Sequence, residues 1–422
     1  MNQRFRFGIS ADGKNEILEK IFTAIIVLMM WGYAYVVPFF PSLNFGEVMA
    51  ICAMACAVFI RKPSIRISYT LLAFFAVSVL STAIISLCLG SISDALMRMV
   101  RDAFYWGLIL VFVCNYLDYA FFKKCLKIFC IVLSAVLVLQ VVIYHLTGVF
   151  VPAYLFSGMV DSATSGRDIY EHILFWIGHS GYLKPYGILS EAAHCSQALF
   201  IGSLFLIHEY KEEGKTQTLW LLVLYNAASV LTFSASALIF SGIVFVSLMY
   251  LLFRKKKFAY FAFGALLVLG AIGLLTAYAG LDSIINRIFS AAAGGGEDTS
   301  AFVRIYKGFI YWASLPWVNK IFGIGFGNYT VFNEAYHIPI SVDAASEFMS
   351  SMSYILVSTG VLGFIIFVLF FAKLFKQGNG LGRLLIIGLA VMSLAASIYS
   401  SPYWVWFMTG ILFNQKNNEV KI

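Results

Sequence analysis

Runs of uninterrupted apolar residues separated by short polar breaks fill this chain, and successive breaks alternate between Lys/Arg-rich and Lys/Arg-poor. Hydrocarbon about 30 Å thick is crossed by about 20 helical residues, and within lipid each backbone polar group must be satisfied inside its own helix. The pattern therefore dictates an all-α, polytopic integral membrane protein. Basic residues stay cytoplasmic during insertion. One set of breaks holds Arg4, Arg6, Lys14, Lys20, Arg61, Lys62, Arg66, Lys123, Lys124, Lys127, Lys211, Lys215, Arg254 to Lys257, Lys373, Lys376, Arg383, Lys416 and Lys421. Placing that set inside puts both termini in the cytoplasm. Only Arg98, Arg101, Arg167, Lys184, Arg287, Arg304, Lys307 and Lys320 then face outward.

Composition narrows the class further. With 61% hydrophobic and 12% charged residues over 422 positions, the surface of a soluble globule would be far too apolar. A single membrane domain, residues 1-422, is expected. The formal charge of +8 is accounted for by the inside breaks, so no nucleic-acid partner is expected; the partner is the lipid bilayer. The first apolar run, Ile21 to Val37, is long enough to remain as a spanning helix and is not expected to be a cleaved signal. Seven cysteines lie in or at the ends of apolar runs, which suggests neither a disulfide framework nor a zinc site. Cys52, Cys56, Cys125 and Cys130 read as small buried hydrophobes.

About twelve spans are expected, at roughly 18-38, 43-60, 67-89, 102-120, 126-148, 188-209, 217-233, 235-253, 258-280, 351-372, 383-400 and 402-415. The pairs meeting near Ser234 and near Ser401 have outside turns of only a few residues, so either pair also reads as helices broken within the membrane. Two outside loops stand apart in length, 149-187 and 281-350. Connections this long are usually functional or disordered. Their aromatics, among them Trp176, Tyr182, Tyr186, Tyr306, Tyr311, Trp312 and Trp317, argue for ordered segments at the membrane surface. The second loop also carries a glycine-rich turn, Gly323-Ile-Gly325-Phe-Gly327.

The outward basic residues concentrate in these loops and at Arg98 and Arg101. Arginine offers a planar, permanently charged fork that grips phosphate oxygens bidentately, so several at one membrane face suit a lipid pyrophosphate. The plainer alternative is pairing with nearby acids, such as Arg167 with Asp168 or Arg304 with Glu297 or Asp298. At the entry to the sixth span the chain reads Lys184-Pro-Tyr-Gly-Ile-Leu-Ser-Glu191-Ala-Ala-His194. On a helix Glu191 and His194 share a face, with Ser190 or Gln197 near. An ionisable pair just inside a membrane marks a candidate site: the carboxylate as general base, the histidine orienting it or an acceptor hydroxyl. A helix-locking Glu–His hydrogen bond, or Glu191 held by Lys184 or an arginine, is the structural alternative. His337, Asp343 and Glu347 show no metal-ligand spacing, and no phosphate-binding loop, dinucleotide fingerprint or nucleophile elbow appears, so neither metal nor cofactor is expected.

Four short pieces, in this order, resemble the Wzy-type O-antigen and capsule polymerases within the O-antigen polymerase/ligase superfamily. They are Lys184-Pro-Tyr-Gly-Ile-Leu-Ser-Glu191, Leu231-Thr-Phe-Ser-Ala-Ser236, Ser300 with Arg304 followed by Phe322-Gly-Ile-Gly325, and Thr359-Gly-Val-Leu-Gly363. Arg167 and Gly178 fit the arginine–glycine spacing known from such loops, whereas Leu315 stands where Arg304 would need its glycine. Ala235 and Ala192 depart from the family's frequent Ser-Arg and Glu-Pro pairs. Ligases of the superfamily carry a histidine ahead of the glycine of the tenth span; that place is Met349 here, which favours polymerase over ligase.

The resemblance implies a GT-C-like membrane fold in the bacterial inner membrane and a substrate of undecaprenyl-pyrophosphate-linked oligosaccharide repeat units on the periplasmic side. The growing chain would pass from its lipid carrier to a newly flipped unit, with a chain-length-regulating co-polymerase as a further partner. Arg304 and Arg167 would hold the pyrophosphate, supported by Lys184, Arg287 and Arg101. Glu191 would deprotonate the acceptor hydroxyl, His194 would assist and Tyr186 would line the sugar path. The remaining alternatives are transfer to lipid A core by a ligase, and movement of a lipid-linked sugar by a flippase, which would carry charges at mid-membrane depth.

Overall fold

The computed structural model describes residues 13-37, 40-60, 62-63, 67-153, 183-257, 260, 306-338 and 349-415. Arg167, Arg287 and Arg304, the expected ninth span at 258-280 apart from residue 260, and Asp343 and Glu347 lie outside them. The described residues are helical nearly throughout, which agrees with an all-α membrane protein. Four of their helices are long and apolar enough to cross a membrane: Tyr69–Leu89, Tyr119–Thr147, Ser236–Arg254 and Ser351–Gln377. Shorter apolar helices occupy Phe45–Phe59, Thr216–Leu231 and Gly380–Ala395.

The chain divides into two compact units. The one holding Thr23–Ala53 and Tyr119–Ala293 contains the second half of α1 (Gly13–Gly32), a short antiparallel hairpin of β1 (Val36–Val37) and β2 (Phe40–Asn44), and the start of α2 (Phe45–Ile60). The hairpin was not expected from the sequence. It tightens the turn between two helices that meet at Gly32 and Gly46, where an added Cβ on Gly32 would sit 2.7 Å from the Gly46 Cα. A capping box closes the start of α2: Glu47 N donates to Asn44 Oδ1 at 2.8 Å and Asn44 N donates to the Glu47 carboxylate at 3.1 Å. Cys52 and Cys56 on α2, and Cys88, are exposed on apolar helices, so the first two are not the buried hydrophobes expected; Cys125 is intermediate, and Cys130 and Cys195 are buried.

The same unit continues with α5 (Tyr119–Thr147), α6 (Ala192–Glu213), α7 (Thr216–Leu231) and α8 (Ala235–Arg254), which pack on one another. Helix α6 ends at Gly214, whose φ of 68° supplies the left-handed residue that stops it. Helices α7 and α8 are separate, because α8 begins with its own cap: Ser234 Oγ accepts from Ala237 N at 3.1 Å. Near Lys127 a polar cluster ties three helices. Lys127 Nζ pairs with Glu209 at 2.9 Å, Thr218 Oγ1 donates to the same carboxylate at 2.8 Å, and Tyr225 OH donates to Lys127 O at 2.8 Å.

The other unit holds Met54–Asp118 and Gly294–Ile422, with the first residues of α1. Its elements are α3 (Tyr69–Leu89), α4 (Ile92–Gly107), which runs through a π-helical turn at Leu108–Val113 to Tyr116, then α9 (Gly308–Ser314), α10 (Trp317–Phe322) and α11 (Tyr329–Tyr336), followed by α12 (Ser351–Gln377), α13 (Gly380–Ala395) and α14 (Pro402–Leu412). The described part of the second long loop thus forms three short helices across 308-336. On α10, Trp317 and Val318 are 79% and 67% exposed, an apolar face suited to a bilayer interface.

Helix α12 is broken at Gly360, which has φ 63° and ψ −174°, a conformation close to glycine-only. The break lies in the expected tenth span, whereas the sequence pointed to breaks near Ser234 and Ser401. Freed carbonyls need partners in a membrane. They find them in the glycine turn: Ile324 N donates to Val357 O at 3.0 Å and Gly325 N to Ser358 O at 2.8 Å. A side chain at Gly323 would collide with the Ser358 carbonyl, and one at Gly360 with the Ile321 carbonyl, so two glycines let the backbones meet. The turn is also fastened to a polar stripe on α3. Thr82 Oγ1 accepts from Phe326 N at 2.9 Å, and the fully buried Asn328 accepts from Ser91 Oγ at 2.7 Å and donates to Ile324 O at 3.0 Å.

Candidate functional site

In the first of these units four of the expected site residues, Lys184, Tyr186, Glu191 and His194, lie where the chain enters α6. Gln140, alone among apolar neighbours on α5, holds this entry: its Oε1 accepts from Gly187 N at 2.9 Å, and its Nε2 lies 3.3 Å from Gly187 O and 3.2 Å from Val151 O. One side chain therefore pins both ends of the first long loop. Gly187 turns the chain with φ 59°, and Leu133 and Leu137 leave no room there for a side chain.

Helix α6 starts at Ala192, four residues later than the sequence suggested. Glu191 is consequently its N-cap, with extended backbone (φ −141°, ψ 151°), and its side chain makes no capping bond. Glu191 therefore stands just before the first helical turn and His194 within it. His194 Nδ1 lies 2.9 Å from Ser190 Oγ, and the ring stands edge-on to Tyr33 with centroids 6.2 Å apart. Of the two neighbours the sequence offered, Ser190 and Gln197, it is Ser190 that meets the imidazole.

Tyr186 is 7% exposed and packs with Phe150, Leu183 and Ala192, so much of its ring is covered by the chain's own side chains. Its phenol is pushed above the ordinary tyrosine range by burial first and by the nearby Glu191 carboxylate second. That coupling places Tyr186 and Glu191 in one electrostatic neighbourhood. Lys184 is half-buried, and burial lowers its ammonium below the usual lysine range. Anything that supplies negative charge beside Lys184 restores its proton affinity.

Beyond His194 the same helix joins the serine-rich turn of α8. Ser196 Oγ lies 3.2 Å from Ser236 Oγ and 3.4 Å from Ser234 Oγ, and donates to Ala193 O at 2.8 Å. Of the four sequence pieces, Leu231–Ser236 thereby meets the helix that continues the one ending in Glu191, within this unit. The other two meet in the other unit, where Gly323–Gly325 docks onto Ser358–Gly360.

Arg98 and Arg101 lie on α4. Arg98 Nε is 3.8 Å from Asp102 Oδ1, its guanidinium lies 4.9 Å from the centre of the Tyr354 ring, and Ser400 Oγ donates to the same Asp102 oxygen at 2.5 Å. For Arg98 the plainer reading, pairing with a near acid, is what the geometry supports. Asp102 and Ser400 were not singled out by the sequence; an aspartate within an apolar stretch was the available signal. Arg101, Glu191, His194, Lys184 and Tyr186 are all described, while Arg167, Arg287 and Arg304 are not. His337 ends α11 in a left-handed conformation, φ 47°. Among the described residues no group of three or more His, Cys, Asp or Glu side chains is arranged to hold a metal ion.

No protein-family model matches the chain, and no curated protein matches it.

Proposed function

We propose that this chain is a polysaccharide polymerase, joining undecaprenyl-pyrophosphate-linked oligosaccharide repeat units at the outer face of a bacterial inner membrane, with about twelve spans and both termini inside. The observation that carries the reading is how the sequence pieces are placed. Each is too short to mean much alone, yet the helix that follows Glu191 meets the Ser234–Ser236 turn through Ser196, and Gly323–Gly325 fills the break at Gly360.

The chemistry follows from a good leaving group. Departure of a lipid pyrophosphate from the anomeric carbon needs its charge neutralised, which Arg304 and Arg167 provide, with Lys184, Arg287 and Arg101 in support. The acceptor hydroxyl attacks that carbon as the pyrophosphate leaves with the bonding electron pair. Glu191 takes the hydroxyl proton, and His194, held by Ser190, orients the acceptor. The half-buried, desolvated Lys184 is suited to an anion. A chain-length-regulating co-polymerase completes the proposed partners.

In cells carrying Arg304→Ala or Glu191→Gln at normal protein levels, surface polymer is expected to collapse to a single capped repeat unit, with Arg304→Lys failing to restore full length. Polymer of normal length from both Arg304→Ala and Glu191→Gln would overturn the assignment.

A further inference from the structure

The described part of the second long loop runs in along one long apolar helix and out along another. Its first helix, α9, begins near the Ser351 end of α12, where a side chain at Gly308 would collide with Ser353. Farther in, Tyr311 and Leu315 share a buried cluster with Met349 and Val357, and at the end of α10 the Ile321 carbonyl meets Gly360. The chain turns at Gly323–Gly325 and leaves beside α3. Phe326 N bonds to Thr82, and Asn328 accepts from Ser86 Oγ at 3.0 Å and from Ser91 Oγ at 2.7 Å, the latter just beyond the end of α3.

Two helices give the depth of the turn independently. Thr82 lies seven residues before the end of α3 at Leu89, and Ser358 lies seven residues after the start of α12 at Ser351. At a rise of 1.5 Å per residue both positions are about 10 Å inside their helix ends. The 21 residues of α3 are about as long as the hydrocarbon is thick, so the turn sits about a third of the way through it.

Backbone at that depth finds no water and is tolerated only where protein satisfies it. The turn meets this condition. The amides of Gly323, Ile324, Gly325 and Phe326 donate in order to Asn319 O, Val357 O, Ser358 O and Thr82 Oγ1, while the carbonyls of Gly323 and Ile324 accept from the side chains of Asn319 and Asn328. On α10, which packs on α12, Trp317, Val318, Ile321 and Phe322 are all exposed. Leu362 and Ile365, just past the break in α12, are exposed as well, so the apolar face of α10 continues the outer surface of a helix long enough to span.

We propose that residues 308-328 form a re-entrant segment that dips about 10 Å into the bilayer, with the exposed face of α10 packed against lipid acyl chains. This rests on α3 and α12 crossing the membrane and on no catalytic assignment.

For the test, trifluoromethylphenylalanine replaces Val318, Ile321 or Phe322, one at a time, in the full-length protein, and fluorine NMR spectra are recorded in lipid nanodiscs. Leu80, exposed on α3, serves as the lipid reference, and Lys62, exposed in a basic break, as the water reference. A nitroxide carried on the lipid acyl chain is expected to broaden the α10 labels as it broadens the one replacing Leu80. An aqueous gadolinium chelate is expected to leave them sharp while broadening the one replacing Lys62. Should the Ile321 or Phe322 replacement fail to fold, the label replacing Val318 decides alone. Labels broadened by gadolinium and spared by the nitroxide would place α10 in water and overturn the proposal. Protection from both reagents would mean that another protein surface covers the face, and overturns it equally.

Discussion

A half-buried lysine and a fully buried asparagine set the residue scale. Burial lowers the Lys184 ammonium, so as pH rises through that lowered value the cation is lost before those of ordinary lysines. An anionic donor binds the protonated form and draws the value back up; its affinity therefore falls as pH climbs into the alkaline range. Titrating donor lipid binding against pH is expected to show this fall, and Lys184→Arg, which keeps its charge throughout, is expected to flatten the profile. A flat profile in the unsubstituted protein would remove Lys184 from the donor site. Asn328 is structural: Ser91 and Ile324 both depend on its carboxamide. Asn328→Leu should cost about 2–4 kcal/mol, seen as an earlier thermal unfolding transition, because buried groups lose their partners together. Lys184 was legible in the sequence as an outward cation, whereas Asn328, Gln140 and Asp102 are single polar letters with partners far along the chain at Ser91, Gly187 and Ser400.

Among the elements, broken α12 and the glycine turn form one device. Gly360→Ala places a side chain against the Ile321 carbonyl and forces a glycine-only backbone, which by backbone strain alone costs about 1–3 kcal/mol. Gly242, on the open face of α8, has no packing neighbour within 4 Å of where a Cβ would sit, and Gly242→Ala should be neutral or stabilising by up to about 1 kcal/mol. Thermal unfolding of the two variants side by side tests the contrast; equal stability would mean that the break at Gly360 is dispensable. Helix positions were largely legible, because unbroken apolar runs leave the backbone little choice. Their ends were less so. Ser68, Ser234, Ser350 and Asn379 cap helices with side-chain bonds, yet Glu191 occupies a cap position without one, and periodicity alone assigned it to the helix. The break at Gly360 escaped notice because its satisfaction comes from a turn more than thirty residues earlier in the chain.

For the whole molecule, membrane class follows from composition and alternation, and four described helices meet the length and hydropathy needed to cross a bilayer. The proposed chemistry was legible only as residue types: cations in the breaks read as outward, and a Glu–His entry to a span. Their pairing depended on backbone turns at Gly187 and Gly360 that fix which short pieces meet. The most direct measurement is to reconstitute the purified protein in liposomes with undecaprenyl-pyrophosphate-linked repeat unit and to resolve the products by length. A ladder of polymers formed without nucleotide is the predicted result. Relocation of the lipid-linked unit across the bilayer with no new glycosidic bond, or transfer only to added lipid A core, would contradict it.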